Sequence, residues 1–364
     1  MWRLRDLVDD PLHRKKLPQT LRGFLLLIDQ IHGKGCDGGF LDLLQRTVPL
    51  QVDPCLTFLR KLPEIQLLTP RGSCNGLLLL EHDACVLEYV VCNPTTEQWV
   101  AVPACDSPRI CEGKSYIYLV FDPAASPHFH LLQFWSHPCD DDEEEEGEED
   151  SDTDDEMEYG TMVRVYSSET GWWTYSQSDW DEQEGWRLRC NIPYYPDDGA
   201  FVQGMLHVLL HEDQIVAVDM QGKTRRAIAA PVKTQESGNR LEGHIFQSQG
   251  HLHYILLNSD DEQGPKMSAW VLEDYNTEEW VLKHAVCILD LFEVMRSRWD
   301  YDLVTIHPDC NVVFLRQPSK QKLISYNMDS KEVSVISISD EYWGMRIVPY
   351  LPCFRELLSL TAKS

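Results

Sequence analysis

The amino-acid sequence predicts an all-β fold: a single β-propeller of about six four-stranded blades, with five to seven compatible, preceded by a short helical segment. The prediction rests on a strand–turn–strand unit that recurs along the 364-residue chain and on a second turn that precedes most of its copies. Short strands and hairpin turns with a period of about 50 residues are typical of kelch-like blades, whereas helical solenoids have shorter periods and helical apolar spacing.

The recurring unit consists of an apolar run, a polar turn and a second run that opens at a marker position. Its copies are YVVCNPTTEQWVAVP (89–103), VRVYSSETGWWTYS (163–176), VAVDMQGKTRRAIA (216–229), WVLEDYNTEEWVLKH (270–284) and LISYNMDSKEVSVIS (323–337). The markers, separated by 74, 52, 55 and 53 residues, are Trp99, Trp173, Arg225, Trp280 and Val333. The longest interval contains the nineteen-residue acidic run 140–158, so the underlying period is about 53 residues.

A turn residue precedes an apolar run in four of the units, at Gly76, Gly204, Gly250 and Asn311. Glycine and asparagine tolerate the positive φ angles that tight turns between strands require, so these positions predict a second hairpin in each blade. A sixth blade is predicted from the chain ends, where the runs 22–28 and 55–63 meet 341–352. Such closure removes the exposed edges that an open sheet would leave.

Three of the markers are aromatic, and we interpret Trp99, Trp173 and Trp280 as packing wedges buried between blades. Each blade must bury its faces against its neighbours, and a buried aromatic side chain contributes a large apolar area to that packing. Ligand stacking on these side chains is the less favoured interpretation.

The net charge of −27 is concentrated in residues 140–158, which carry fifteen acids and no base, so the other 345 residues carry −12. Mutual repulsion and a lack of apolar groups predict a disordered acidic loop inserted within the propeller. Ser151 and Thr153 each have an acid three residues on, which fits acid-directed phosphorylation; the alternative is an unmodified, solvated spacer. The predicted propeller domain spans 19–358.

Composition and motifs disfavour several classes of protein. No apolar run approaches the ~20 residues of a membrane helix, and no basic stripe indicates nucleic-acid binding. The twelve cysteines contain no C-x-x-C pair, so reduced, mostly buried thiols are expected rather than structural zinc. The pairs His128/His130 and His251/His253 are interpreted as ordinary strand histidines rather than metal ligands. No nucleotide-binding or nucleophile motif occurs, and we predict a protein that is not an enzyme and needs no cofactor.

The order of several motifs carries a family resemblance. The run RDLVDDPLHRKKLPQTLRGF (5–24), followed by SCNGLLLL (73–80), VCNPTTEQWVAVP and VYSSETGWW, resembles plant F-box proteins with an F-box-associated β-propeller, especially those of grasses. The resemblance covers essentially the whole chain. It implies a three-helix F-box that docks on the Skp1 adaptor of a cullin-based ubiquitin ligase, followed by a propeller that receives the substrate protein.

The resemblance also implies that residues 1–18 are the remnant of the last F-box helix and its linker, with Leu4, Leu7 and Val8 as the apolar positions of that helix. Leu4 stands where the family has a tryptophan, and no leading helices with the family's L-P-x-x-L signature are found ahead of this segment in the sequence given. Skp1 binding by the chain as given is therefore expected to be lost or very weak.

The leading hypothesis is a protein–protein interaction module, the substrate-receptor propeller of an F-box type protein located in the cytoplasm, the nucleus or both. One alternative is a propeller enzyme acting on glycans, which a central cluster of acids with a tyrosine or arginine would favour. The other is a binder of basic proteins such as histones, acting through the acidic residues 140–158.

Overall fold

Short antiparallel strands make up more than half of the residues for which positions are described. The computed structural model describes residues 20–28, 38–43, 52–60, 68–82, 88–103, 115–135, 162–176, 199–210, 214–233, 241–258, 264–292, 300–337, 345–355 and 357–360. Within these ranges, no helix is long and apolar enough to cross a lipid bilayer. The first elements are β1 (Gly23–Leu27), β2 (Gly39–Asp42) and the four-residue helix α1 (Thr57–Arg60).

Five sheets follow, each built from four strands that are consecutive in the sequence and antiparallel. Blade 1 contains β3 (Leu68–Cys74), β4 (Leu77–His82), β5 (Glu88–Asn93) and β6 (Gln98–Val102). Blade 2 contains β7 (Ser115–Val120), β8 (His130–Trp135), β9 (Met162–Ser167) and β10 (Trp172–Ser176). Blade 3 contains β11 (Gly199–Val202), β12 (Met205–Leu210), β13 (Gln214–Val218) and β14 (Thr224–Ala229).

Blade 4 contains β15 (Leu241–Ser248), β16 (His251–Asn258), β17 (Lys266–Asp274) and β18 (Glu279–Cys287), and blade 5 contains β19 (Asp302–Ile306), β20 (Val312–Gln317), β21 (Lys322–Asn327) and β22 (Val333–Ser337). The last strand is β23 (Arg346–Tyr350). It pairs with β1, which pairs in turn with β2, so the two ends of the chain form blade 6 together. Three short 3₁₀ turns occupy Ile288–Asp290, Pro318–Lys320 and Leu358–Leu360.

The six sheets close into a ring, which confirms the predicted six-bladed propeller. The first strands of neighbouring blades contact one another, as β3 does with β7 and β15 does with β11 and β19; β23 contacts β3 in the same way. Six hydrophobic clusters lie between the blades, one at each junction. Representative pairs that share a cluster are Tyr89 and Leu131, Val165 and Val208, Ile215 and Tyr254, Ile255 and Val313, Phe24 and Phe314, and Val348 and Val90.

The polar turn of the repeat has one local cause in all five blades. The residue at the end of the third strand accepts a hydrogen bond from the backbone N–H two residues later, at 2.7 to 3.3 Å. These five acceptors are Asn93, Ser167, Asp219, Asp274 and Asn327. Short oxygen-bearing side chains stabilise a turn in this way, so the hairpin between the third and fourth strands is encoded locally. All five markers consequently lie in fourth strands, which are the outermost strands of their blades.

The turn between the first and second strands follows the prediction in blades 1, 3 and 4 but not in blade 5, where Asn311 does not take the predicted positive φ angle. Asn75 and Gly76 have φ angles of 46° and 92°, and the pairs Gln203/Gly204 and Gln249/Gly250 repeat this pattern. Two consecutive positive φ angles are the signature of a two-residue type I′ hairpin. Gly76 has a further constraint, because a Cβ there would lie 2.5 Å from the backbone oxygen of Leu351.

The prediction for residues 55–63 was wrong. The third strand of blade 6 is β2 instead, and residues 57–60 form α1. Asp53 causes the helical turn, because its carboxylate accepts the backbone N–H groups of Cys55 at 3.0 Å and Thr57 at 2.7 Å. Leu56 and Leu59, three residues apart, are fully buried against the cluster between blades 6 and 1.

The cysteines depart from the expectation in one place. Cys55 is disulfide-bonded, and its partner lies outside the described residues. Five other cysteines of the described ranges are free: Cys74, Cys92, Cys287, Cys310 and Cys353. The expectation of reduced thiols throughout the chain is therefore wrong at Cys55.

Candidate functional site

The two ends of the ring differ in how they are built. One end, which we call the turn face, carries the tight turns between first and second strands and between third and fourth strands, such as 75–76, 94–97 and 275–278. The opposite end carries the connections between second and third strands and between blades. The acidic run 140–158, which lies between β8 and β9 in the sequence, is outside the described residues, as are Ser151 and Thr153.

The three marker tryptophans lie at the edges of blade junctions and are partly exposed rather than fully buried. The indole N–H of Trp173 donates to the backbone oxygen of Pro103 at 2.8 Å, and that of Trp280 donates to Ala229 at 2.9 Å. Both acceptors belong to the preceding blade. Trp99 packs against the cluster between blades 6 and 1. Their contribution to blade packing stays a prediction.

Replacing Trp280 by alanine is expected to lower the free energy of unfolding by about 3 kcal/mol. The change removes a partly buried ring that packs edge-on against Tyr254 and leaves the Ala229 carbonyl without its indole donor. Urea unfolding measures the loss. Trp172→Ala is the matched control, since Trp172 is 74% exposed and its removal should cost less than ~0.5 kcal/mol. A loss below ~1 kcal/mol for Trp280→Ala would contradict the assigned packing role.

A polar chain lies inside the junction between blades 1 and 2. The Nε–H of Arg164, which is buried, donates to Oε1 of Gln133 at 2.6 Å, and Gln133 donates to the Tyr89 hydroxyl at 3.2 Å. The guanidinium carbon of Arg164 lies 4.5 Å from the ring centre of Trp173, a cation–π geometry. Burial raises the pKa of Tyr89 to about 12, so its hydroxyl remains protonated at neutral pH. The marker Trp173 therefore contacts the Pro103 carbonyl of blade 1 through its indole N–H and the Arg164 guanidinium of blade 2 through its ring.

The C-terminal residues 351–355 and 357–360, which we call the tail, follow β23 and contact blades 1 and 2 at the turn face. The side-chain amide of Asn93 donates to the backbone oxygen of Cys353 at 2.9 Å, and Gln98 accepts the N–H of Leu357 at 3.0 Å. The guanidinium of Arg355 donates to Pro123 in blade 2 at 2.7 Å. Cys353, Leu357 and Leu360 are buried in the cluster between blades 1 and 2. The tail therefore connects three blades next to the closing strand.

Asn93→Ala is expected to destabilise the protein by about 2 kcal/mol, because fully buried Asn93 both stabilises its own turn and holds the tail. Asn327→Ala is the matched control, since Asn327 makes the same turn contacts in blade 5. The control should lose only about 1 kcal/mol. Chemical denaturation of both variants measures the difference, and equal losses would show that the bond to the tail adds nothing.

Two buried histidines lie in blades 3 and 4. His207 is fully buried, with Nδ1 3.2 Å from the backbone oxygen of Ala200 and Nε2 in contact with the Tyr275 hydroxyl of blade 4. One neutral tautomer serves both contacts, with Nδ1 donating and Nε2 accepting. Burial lowers the pKa of His207 to about 4, and burial likewise lowers the pKa of His253 to about 4. Both side chains are therefore neutral at physiological pH.

Two arginines connect blades 5, 6 and 1, and a third forms an ion pair within blade 1. Arg316 pairs with Asp302 at 2.7 Å and reaches the Met345 oxygen at 3.5 Å, and Arg346 donates to the Pro70 oxygen at 2.8 Å. Arg71, the residue after Pro70, pairs with Glu81. Because the guanidinium groups of Arg316 and Arg346 contact backbone oxygens of the neighbouring blade, we assign these two residues to ring closure rather than to ligand binding.

The outer strand of blade 2 carries exposed aromatic side chains. Trp172 is 74% exposed and Tyr175 is 49% exposed, and no other aromatic side chain of the described residues belongs to the large exposed hydrophobic set. The remaining members of that set are aliphatic: Leu282, Leu289, Val333 and Val335. Sequence reasoning missed Trp172, although it directly precedes a marker; the signal was a tryptophan at a position that is polar in the other copies of the repeat.

Two groups of predicted residues remain to be placed. Leu4, Leu7 and Val8 lie outside the described residues. His251 and His253 lie on one strand, the first exposed and the second buried, while His128 precedes β8 and His130 begins it. Across the described ranges, no group of three or more histidine, cysteine, aspartate or glutamate side chains could hold a metal ion.

A ring of six antiparallel blades closed by the C-terminal strand defines the class of this protein as a β-propeller. A family model described as "F-box protein At3g26010-like, beta-propeller" matches residues 148–353, more than half of the chain. The chain belongs to this family. The match confirms the resemblance drawn from the sequence. No curated protein matches the chain.

Solved structures show distant likenesses. Apo AztD from Citrobacter koseri is 10% identical with a TM-score of 0.37, over 90% of this chain and 97% of that chain. YCF48 bound to D1 peptide is 10% identical with a TM-score of 0.37, over 88% and 84%. The GH43 protein BlXynB from Bacillus licheniformis is 12% identical with a TM-score of 0.35, over 78% and 57%. Similarity at this level carries no argument about function.

Proposed function

We propose that this propeller is the substrate receptor of an F-box type adaptor of a cullin-based ubiquitin ligase. The observation that carries the proposal is the family match over residues 148–353. In this reading the propeller binds a protein, catalyses no reaction and needs no cofactor. Residues 1–18 are the end of the Skp1-binding module, and the protein acts in the cytoplasm, the nucleus or both.

The described geometry supports a binding scaffold. Each blade junction has its own hydrophobic cluster, so the ring holds its turns and outer strands in fixed positions. Rigid presentation of surface groups lowers the entropy lost when a partner binds. The exposed aromatics of β10 are of the residue types that dominate binding energy at protein interfaces.

Fusing the full chain behind an intact F-box tests the receptor role. The fusion is expressed in plant cells, and protein abundances are compared with and without a proteasome inhibitor. A receptor is expected to lower the abundance of one protein or a small group of proteins, and the inhibitor is expected to restore it. The same F-box fused to an unrelated six-bladed propeller is the control. The absence of any propeller-specific, inhibitor-sensitive loss would overturn the proposal.

A further inference from the structure

Arg226 is a charged side chain at a position where the fold does not require one. It lies on β14, the outer strand of blade 3, and pairs across from Ala217. The residues that pair in the same way in blades 1, 2, 4 and 5 are uncharged: Val100, Thr174, Trp280 and Ser334. Those blades form the same hairpin between third and fourth strands, so the architecture alone does not explain the arginine.

Tyr275 of blade 4 holds the guanidinium of Arg226 in position. The central carbon of the guanidinium lies 5.5 Å from the centre of the Tyr275 ring, which is a cation–π geometry. His207, Ala217 and Arg226 lie side by side on neighbouring strands of blade 3, and the Tyr275 hydroxyl contacts His207. The ring of Tyr275 therefore spans the small side chain between its two contacts. A guanidinium fixed in this way loses little entropy when a ligand binds.

Within the described part of the chain, Arg226 has no ion pair, and one of its terminal nitrogens has no acceptor. The Nη1 atom is enclosed, and no described group accepts a hydrogen bond from it. Asp274, at the end of β17, interacts with Arg226 only electrostatically, because its carboxylate accepts the backbone N–H groups of Asn276 at 2.7 Å and Thr277 at 3.4 Å. An enclosed donor without a partner costs free energy, and a bound ion or ligand group that accepts its hydrogen bond removes that cost.

The guanidinium determines which chemical groups can bind. It presents five N–H donors in a planar fork that matches the oxygens of a carboxylate or a phosphate, and it is always protonated in proteins. Arg226 is partly exposed at the junction between blades 3 and 4, where a partner protein can reach it. Burial lowers the pKa of His207 to about 4, so this neighbour is neutral at pH 7 and the positive charge belongs to Arg226. Hydrogen bonds between ionised groups are strong, and partial burial strengthens them further.

We propose that Arg226 binds an oxyanion, a carboxylate or phosphate group on a side chain of a partner protein, at the junction between blades 3 and 4. The oxyanion accepts hydrogen bonds from the guanidinium that Tyr275 holds in position. The negative charge of Asp274 opposes the incoming group and limits its affinity. This inference rests on the proposed receptor function and deepens it, because it names the chemistry of the substrate: an acidic or phosphorylated segment.

Inorganic phosphate and acetate are the probes, each compared with potassium chloride at the same ionic strength and pH. A ligand that binds the folded state raises the melting temperature, and phosphate at about 50 mM should raise that of the full chain by about 2 °C more than it raises that of Arg226→Gln. General stabilisation by exclusion of phosphate from the protein surface is the same in both proteins. Arg225→Gln is the matched control, since Arg225 is 54% exposed and pairs with Asp219; this variant should respond to phosphate as the wild type does.

Two further measurements test the site in other ways. Asp274→Asn should increase the response to phosphate, because asparagine forms the same turn in blades 1 and 5 without the opposing charge. Phenylglyoxal, a reagent that modifies arginine, should react more slowly with Arg226 of the wild-type chain when phosphate is present. Mass spectrometry measures this protection, which needs no variant to fold.

The two probes distinguish the source of the oxyanion. A response to both phosphate and acetate supports recognition of carboxylate side chains, and a response to phosphate alone supports recognition of phosphorylated ones. No response to either probe, equal responses of the wild type and Arg226→Gln, or an equal loss in Arg225→Gln would each overturn the proposal. A weaker response in Asp274→Asn, or modification of Arg226 at a rate that phosphate does not change, would also overturn it.

The outcome is distinguishable from that of the receptor test. If phosphate binds through Arg226 and the F-box fusion depletes no protein, the anion site stands and the ubiquitin-ligase role is wrong. If the fusion depletes a target and the phosphate response does not depend on Arg226, the anion site is wrong and the receptor function stands. If both tests succeed, the fusion that carries Arg226→Gln should deplete its target less than the fusion that carries Arg225→Gln. Equal depletion would contradict substrate recognition through this site.

Discussion

Removing the tail and the residues after it, by truncation after Tyr350, is expected to eliminate most of the stability of the propeller. Cys353, Leu357 and Leu360 are at most 1% exposed, and burial of three such side chains contributes about 4 to 8 kcal/mol as an upper bound. Domains of ordinary stability have only about 5 to 15 kcal/mol in total. The truncated chain should therefore unfold at low urea concentration or fail to accumulate as folded protein.

Two controls make the truncation interpretable. Removing residues 361–364 alone leaves every described contact of the tail in place and should not change stability. Leu357→Ala keeps the backbone of the tail and should lower the free energy of unfolding by about 3 kcal/mol. This loss can be measured even if the fully truncated chain does not fold. A stability loss of less than ~1 kcal/mol on truncation after Tyr350 would show that blades 1 and 2 pack without the tail.

The parts of the fold that local chemistry encodes were predictable from the sequence. Asn93, Asp219 and Asn327 stabilise their turns through contacts two residues away, and the hairpin glycines take the positive φ angles that the turns need. Because each of these contacts lies within a single turn, it forms wherever the same turn residues occur in the sequence. Counting the turns therefore located five blades and set the period.

The contacts that close the ring were not predictable in the same way. The tail contacts turns more than 200 residues away in the sequence, such as the bond from Asn93 to Cys353. A contact that occurs at only one place in the fold leaves no repeating pattern in the sequence. The error at residues 55–63 had a local signal, however, because Asp53 ahead of Thr57, with Leu56 and Leu59 three residues apart, is a helix-capping pattern.

The two adjacent tryptophans of blade 2 show a third relation between sequence and structure. The pattern SSETGWWTYS contains two adjacent tryptophans, and alternation along a strand directs them to opposite faces. Only the packing of blade 1 against blade 2 decides that Trp173 is held in the junction and that Trp172 is exposed. The repeat alone identified the marker, while the exposure of Trp172 depends on the position of the neighbouring blade.

Lowering the pH from 7 to 5 is expected to destabilise the protein by about 4 kcal/mol through His207 and His253. Both have a folded-state pKa of about 4, below the ~6.5 of an unfolded histidine. Between these values the unfolded chain binds protons that the folded chain does not, so the free energy of unfolding falls as the pH falls. Each histidine contributes about 2 kcal/mol over this interval.

The physical cause is burial, and it allows a matched test. Urea unfolding at pH 7 and pH 5 measures the slope of the free energy of unfolding against pH. The double variant His207→Gln/His253→Gln should lose most of this slope, because glutamine keeps hydrogen-bonding groups but does not titrate. The single variants His207→Gln and His253→Gln should each lose about half of the slope. His130, His284 and His307 also have pKa values lowered by burial, so a small slope should survive in the double variant. A wild-type protein equally stable at both pH values would show that His207 and His253 accept protons in the folded state, and the neutral contact of His207 with Tyr275 would then be wrong.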